Sequence, residues 1–422
     1  MNKTVLSSLH IIKTGAIKME KSLWKDKKKL DHNYIPENLP RREEERKEIF
    51  RDLFSFYETQ DSNGFTSWLI YGSVGSGKTV LSRRIGVDLT ESYGDELRVI
   101  YINCRTEKKV YNVLTRMVRE LEPNLPRRGF SREDLINIFT QILVESENQA
   151  LLILDEIDGI FYSSEGEKAN DFLYTLSRAW EQNNVGEFLK LGLIIVTRDV
   201  SALYKWLDNA TRASLLKKSM KLKTYDFDDL MEILRYRAKL AIQDDAYDEE
   251  TLELIAKHVS ENLRGDLRGN ARIAIDLLRD AGDIAMMENR LYITADDVRK
   301  AIIRNPNTEP VDDEIFASLG KQKLILLLAI TRGIKSIGGA YITRAQLETF
   351  YNMVCEEYDE EPRKTTQMLR YLKEIEEETK GAINVVVTGK GQRGRSTRIS
   401  LNIPAEDLER KIEQILEGGI RL

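Results

Sequence analysis

The residues best suited to chemistry are Gly72-Ser73-Val74-Gly75-Ser76-Gly77-Lys78-Thr79, which satisfy the spacing G-x-x-x-x-G-K-[ST] in full. An apolar run, Trp68 to Tyr71, precedes them and a helical stretch, Val80 to Leu89, follows. Glycines allow backbone N–H groups to turn inward around phosphate oxygens, helped by the positive end of the following helix. Lys78 then supplies a cation for the β- and γ-phosphates, and the Thr79 hydroxyl supplies a ligand for Mg2+. A second run, Leu151-Leu152-Ile153-Leu154, ends in Asp155 and Glu156. Beside the phosphate loop, Asp155 completes the Mg2+ shell and Glu156 polarises an attacking water. Gly72, Val74, Gly75, Ser76, Gly77, Lys78, Thr79 and Val80 are therefore the expected contacts to ATP or ADP.

Composition removes most other chemistries. Three histidines, His10, His32 and His258, are too scattered for a histidine-based zinc site or triad, and Cys104 and Cys355 have no CxxC partner. The cysteine usage points to a reduced, cytosolic compartment. No apolar run spans a bilayer, the longest being Leu324 to Ile330, and the first residues do not read as a secretory signal. The balance of 64 Lys plus Arg against 69 Asp plus Glu gives a net charge of −5. Taken as an average, that argues against a nucleic-acid partner.

The motifs need elements to hold them. At roughly 100–200 residues per domain, 422 residues should form about two to four domains. Residues 1–30 read as a basic N-terminal arm. Residues 31–224 alternate helical stretches with short apolar runs at Trp68 to Tyr71, Val99 to Asn103, Leu151 to Leu154 and Leu193 to Thr197. Such runs suit parallel strands buried on both faces by helices, an α/β fold with an αβα core. Residues 225–305 show only helical spacing, in Leu230 to Ile242, Glu249 to Asn262, Ala271 to Met287 and Ala295 to Arg304. The turn-rich segment Asn305 to Pro310 leads into residues 310–422.

In that last region, helices are expected over Leu319 to Thr331, Thr343 to Tyr358 and Lys364 to Glu377. The first turns of the third carry Arg363, Lys364, Thr365, Thr366, Gln367 and Arg370, and its acids come late, at Glu374, Glu376 and Glu377. A helix whose N-terminal part enters a major groove has that polarity. Met368, Leu369, Leu372 and Ile375 make its packing stripe. Ile383 to Val387 and Thr397 to Leu401 then flank a tip with Gly389, Gly391 and Gly394. Between Gly381 and Leu401 lie Lys390, Arg393, Arg395 and Arg398 and no acid. Helix plus basic ribbon is the winged-helix arrangement, and the charge average conceals it.

Together these motifs resemble the archaeal replication-initiator AAA+ ATPases, relatives of the eukaryotic origin recognition complex and its helicase-loading partner. The likeness runs from about Asn33 to Pro404. It implies an AAA+ P-loop core, a helical lid and a C-terminal winged helix, with slow, switch-like hydrolysis of ATP. It further implies binding to double-stranded origin DNA, recruitment or loading of the MCM replicative helicase, other initiator paralogues on adjacent sites, and a cytoplasmic, nucleoid-associated location. By the same resemblance, Tyr34, Ile35 and Arg42 are candidate adenine contacts. Arg272, in Gly269-Asn270-Ala271-Arg272, takes the position of the lid's phosphate-sensing arginine, and Arg212 that of an arginine finger. Arg127 and Arg128 fall where the family carries a DNA-touching insertion. Where the family holds the attacking water with Asn, this chain has Thr197-Arg198-Asp199, so either Thr197 serves that role or Arg198 replaces the Asn. The alternatives are an ATP-gated transcription regulator or replication repressor without significant hydrolysis, and a clamp-loader-like ATPase that assembles on proteins.

Overall fold

The computed structural model describes residues 22–59, 64–163, 165–182, 189–308, 313–379, 381–387 and 397–418. Five strands form one parallel sheet: β1 (Gly64–Gly72), β2 (Leu97–Asn103), β3 (Gln149–Asp155), β4 (Lys190–Thr197) and β5 (Ser219–Leu222), in the order β2-β3-β4-β1-β5. Their alternating side chains serve two cores. Leu151 and Ile153 join Ile49, Leu53, Leu81 and Ile85 on one face. Leu152 and Leu154 join Val113, Leu114, Leu135 and Phe139 on the other. Burial on both faces is why these strands read as unbroken apolar runs. Helices Glu43–Glu58 and Lys78–Tyr93 cover the first face, and Val110–Leu121, Arg132–Glu145 and Gly166–Ser177 the second.

Parallel strands and right-handed crossovers send every strand's C-terminal end to the same edge of the sheet. Asp155 ends β3, Thr197 ends β4 and the phosphate loop follows β1. With β4 lying between β3 and β1, the three meet at that edge.

Beyond β5 come helices Phe227–Ala241, Glu249–Lys257, Ala271–Met287 and Ala295–Arg304. The second stops short of its expected end, because His258–Asn262 form a π turn. The chain divides into two compact units. One takes the described residues through Leu30, Arg237–Ile255 and those from Asp276 onward, and the other takes Asp31–Tyr236 and Ala256–Ile275.

In the first unit the last residues of the basic arm are packed. Leu23 and Leu30 are buried, Lys25 N–H donates to the Ala241 carbonyl at 2.8 Å, and Lys27 Nζ reaches Asp283 at 2.6 Å. The same unit holds helices Lys321–Ile337, Arg344–Glu357, Thr365–Glu378 and Ala405–Leu416 around a small antiparallel sheet. Its strands β6 (Tyr341–Thr343), β7 (Ile383–Val387) and β8 (Thr397–Leu401) run in the order β6-β8-β7. Thr343 starts the helix Arg344–Glu357 through a capping box with Gln346, as Ser131 and Asp134 do for Arg132–Glu145. The fully buried Arg299 on helix Ala295–Arg304 donates to the carbonyls of Leu401 (3.0 Å) and Ala340 (2.9 Å). Among the described residues no helix is long and apolar enough to cross a membrane.

Candidate nucleotide site and nucleic-acid face

The loop after β1 is shaped by two glycines whose conformations disfavour any side chain. Gly75 has φ +74° and Gly77 φ +93°, and a Cβ at Gly75 would stand 1.8 Å from Asn270 Oδ1. Lys78 Nζ donates to the carbonyls of Gly72 (2.9 Å) and Ser73 (2.7 Å). Burial pushes its ammonium down to about 8, against the pull of Asp155, Asp158 and Glu156. Ser73 Oγ is buried with no hydrogen-bond partner among the described residues.

Thr79 Oγ1 donates to Asp155 Oδ2 at 2.9 Å. Asp155 is 1% exposed, and burial raises its carboxyl above its ordinary value while hydrogen bonds from Tyr101 and Thr79 oppose the rise. A hydroxyl beside a carboxylate is an oxygen donor set suited to a hard divalent cation, and the orphaned Ser73 hydroxyl suits a phosphate oxygen. The residues present thus fit both Mg2+ and a nucleotide phosphate. Glu156 is held by Asn103 Nδ2 at 3.1 Å, with Arg105 3.8 Å away. Its backbone lies at φ +51°, a left-handed conformation that costs a non-glycine residue about 1–2 kcal/mol.

Two of the expected site residues are engaged by the protein itself. Arg42, expected to face the adenine, is 5% exposed and spends its donors on the protein. It donates to the carbonyls of Ser76 (3.1 Å), Arg41 and Lys223 and to Glu45, and stacks 4.3 Å over Tyr225. It braces the phosphate loop. Thr197 is fully buried, and its hydroxyl donates to Asp158 and, at 3.2 Å, to the Asp199 carbonyl. The Arg198 N–H also donates to Asp158, at 2.8 Å. The Thr197 hydroxyl is thus held at the end of β4, and the Arg198 side chain is exposed at the edge.

The half-buried Tyr34 and Ile35 lie in the lead-in to helix Glu43–Glu58. Asn270 Oδ1 accepts from the N–H groups of Arg272 (3.0 Å) and Ile273 (3.4 Å), opening the helix on which Arg272 is exposed. Ala271 N–H donates to the Gly75 carbonyl at 3.2 Å, so this helix start rests on the phosphate loop. Arg212 stacks 5.6 Å from Tyr204 on helix Asn209–Leu215. Arg127 and Arg128 are exposed on the loop joining Val110–Leu121 to Arg132–Glu145, bordering a groove that Arg116, Arg119 and Arg132 also line.

On helix Thr365–Glu378, Met368, Leu372 and Ile375 are buried, while Arg363, Lys364, Thr365, Thr366 and Arg370 are exposed at its start. Gln367 is tied to Tyr371 at 2.8 Å, and Arg370 leans toward Glu374 at 3.3 Å. Arg398, at the base of the ribbon, stacks 4.2 Å over Tyr341. The tip cations Lys390, Arg393 and Arg395 lie outside the described residues. The sequence reading did not single out Asn103, Asp158, Tyr101 or Asn270. Asn103 carried a signal, a polar residue closing an apolar strand at the edge where Asp155 closes its own.

A P-loop at the C-terminal edge of a five-stranded parallel sheet, followed by helices and a three-stranded winged fold, defines an AAA+ ATPase-type protein. Three family models match in chain order: an AAA domain over residues 60–196, a Cdc6 AAA+ ATPase-type lid domain over 231–302 and a CDC6 C-terminal winged helix domain over 314–411. ORC1-type DNA replication protein 2 of Saccharolobus solfataricus is 32% identical over 393 residues, covering 90% of this chain and 91% of that protein. The crystal structure of Cdc6p from Pyrobaculum aerophilum matches with a TM-score of 0.76 at 29% identity, over 95% of this chain and 100% of that one. The Aeropyrum pernix ORC2 protein, solved in ADPNP–ADP complexes, matches at 0.61 and 25% identity, over 94% and 99%. The chain belongs to the archaeal Orc1/Cdc6 replication-initiator family.

Proposed function

We propose that this protein is an ATP-dependent initiator that binds double-stranded origin DNA through its winged helix and the Arg127–Arg128 loop. The observation that carries the DNA contact is helix Thr365–Glu378, which buries one face and offers Arg363, Lys364, Thr365, Thr366 and Arg370 at its start. Phosphate contacts by these cations and the ribbon supply most of the affinity, and few positions read sequence. We keep residues 31–224, 225–305 and 310–422 as core, lid and DNA-binding domain, and place the protein in the cytoplasm on the nucleoid. The MCM helicase and initiator paralogues on neighbouring sites are its proposed partners.

The nucleotide chemistry follows from the edge of the sheet. Thr79 and Asp155 would hold Mg2+, which would neutralise phosphate charge. Lys78 exchanges its two carbonyl partners for phosphate oxygens. Glu156, steadied by Asn103, accepts a proton from the attacking water. Arg272, on a helix whose first N–H already rests on Gly75, reports the terminal phosphate to the lid. The complexes of the Aeropyrum pernix relative with ADPNP and ADP support nucleotide binding by this chain.

Hydrolysis is slow because of Arg198. A guanidinium only donates hydrogen bonds, so it can grip a terminal phosphate and cannot accept from a water as an amide oxygen does. Arg198→Asn should raise single-turnover hydrolysis about tenfold, the scale of one added hydrogen bond of about 1.4 kcal/mol. An unchanged or lower rate would remove Arg198 as the cause.

The same residue favours the second reading, an ATP-gated transcription regulator or replication repressor without significant hydrolysis. Anisotropy and footprinting on origin duplexes separate them. Arg363→Ala with Lys364→Ala, and Arg393→Ala with Arg395→Ala, should each weaken binding and reduce the log–log salt slope by about 1 per phosphate contact removed. If both pairs keep the parent's affinity and slope, the winged-helix assignment is wrong. Preference for promoters with no helicase recruitment would select the second reading.

A further inference from the structure

Asp155 is gripped by a residue that no motif names. Tyr101 lies on β2, two residues before Asn103, in register with Ile153 of β3. Its hydroxyl donates to Asp155 Oδ2 at 2.7 Å, the same oxygen that accepts from Thr79 at 2.9 Å. The Glu156 N–H donates to Oδ1 at 3.0 Å. Three donors, from β2, helix Lys78–Tyr93 and the turn that follows β3, thus fix one buried carboxylate. The tyrosine is itself held, with the Arg83 guanidinium 5.1 Å over its ring and Arg83 Nη1 3.5 Å from the Asn33 carbonyl.

We infer that Tyr101 is a positioning residue for the divalent cation, setting the direction in which Asp155 meets it. This rests on the reading above that Thr79 and Asp155 hold the ion. A carboxylate offers about four lone-pair sites. Tyr101 and Thr79 direct their hydrogens at Oδ2 and the Glu156 amide at Oδ1, so the carboxylate cannot rotate freely and few directions remain for a cation. Partners that orient a ligating carboxylate in this way typically affect metal affinity by 10–100-fold. Tyr101 touches neither reacting atoms nor the ion, and acts through Asp155.

The test is a titration of the full-length protein with Mg2+, and separately Mn2+, at fixed fluorescent ADP, for the parent, Tyr101→Phe and Thr79→Ala. Phenylalanine keeps the ring under Arg83 and removes only the hydroxyl. The half-saturating metal concentration should rise about tenfold or more in Tyr101→Phe. ADP affinity in EDTA should stay at the parent's value, which a merely structural role would not allow, while Tm falls by no more than the loss of one buried donor explains. An unchanged or lower metal requirement in Tyr101→Phe overturns the inference, as does an equal loss of affinity in EDTA. If Thr79→Ala raises the metal requirement and Tyr101→Phe does not, the inference falls and the metal pair stands. If the parent itself binds ADP independently of Mg2+, both fall.

Discussion

Lys78→Ala lowers affinity for ATP and ADP by about 100-fold or more. The ammonium is partly desolvated and turned onto two backbone carbonyls 2.9 and 2.7 Å away, so it is already aimed along the loop that would enclose a phosphate. Charge-assisted hydrogen bonds contribute about 1.5–3 kcal/mol each, and two of them account for a loss of that size. The same group makes binding pH-dependent. Burial holds Lys78 at about 8 in the free protein, whereas a phosphate partner raises it, so the bound state takes up a proton. Affinity is therefore full below about pH 8 and falls as pH rises above it, by up to about tenfold per unit while the bound form stays protonated. Fluorescent-nucleotide titrations from pH 7 to pH 9.5 check this, with calorimetry in buffers of different ionisation enthalpy reading the proton. Lys78→Ala should flatten the profile. A parent curve level through pH 9 would mean that Lys78 does not meet the phosphates.

Arg299→Ala should produce the largest loss of stability of any single substitution considered. Arg299 is 1% exposed, and burial presses its guanidinium down to about 10, still charged at neutral pH. It faces Asp296 at 3.7 Å and bonds the carbonyls of Leu401 and Ala340, tying the last lid helix to β8 and to the start of β6. Truncation leaves two buried acceptors and a large void. Removing one member of such a buried set costs about 3–5 kcal/mol. For a unit of this size that is roughly 10 °C in Tm. Arg299→Lys should recover only part of it, because an ammonium lacks the fork that serves two carbonyls at once. Differential scanning calorimetry decides. An Arg299→Ala variant melting with the parent would show that this seam is not what holds the unit together.

The phosphate loop, Asp155 and Glu156 could be read from the sequence because local spacing and the order of apolar runs specify them. Strands β3 and β4 stood out for the same reason, being buried on both faces. By contrast β5, Ser219–Leu222, is a short edge strand with one buried residue, and β6 has three residues, so neither leaves a periodic trace. The helix Ala405–Leu416 leaves only a sparse one, in Leu408 and Ile412 amid charged residues. What local pattern cannot hold is the long-range choice of side-chain partners. Arg42 looked free for a base until the Ser76 carbonyl and Tyr225 were found to claim it. Nor does any spacing show that Asp158 accepts from both the Thr197 hydroxyl and the Arg198 N–H. Tyr101 and Asn103 gained meaning only when β2 lay beside β3.

The packing of residues 22–30 has a consequence for synthesis on the ribosome. Lys25 pairs with Asp244, 219 positions later, and Lys27 with Asp283, 256 positions later. Trp24 packs against Gly282. At translation rates of about 5–20 residues per second, this segment emerges roughly 10–50 s before the helices that receive it. Leu23, Trp24 and Leu30 lack those packing partners through that interval. This segment thus waits for partners more than 200 positions downstream, and its apolar side chains are a natural early contact for a chaperone.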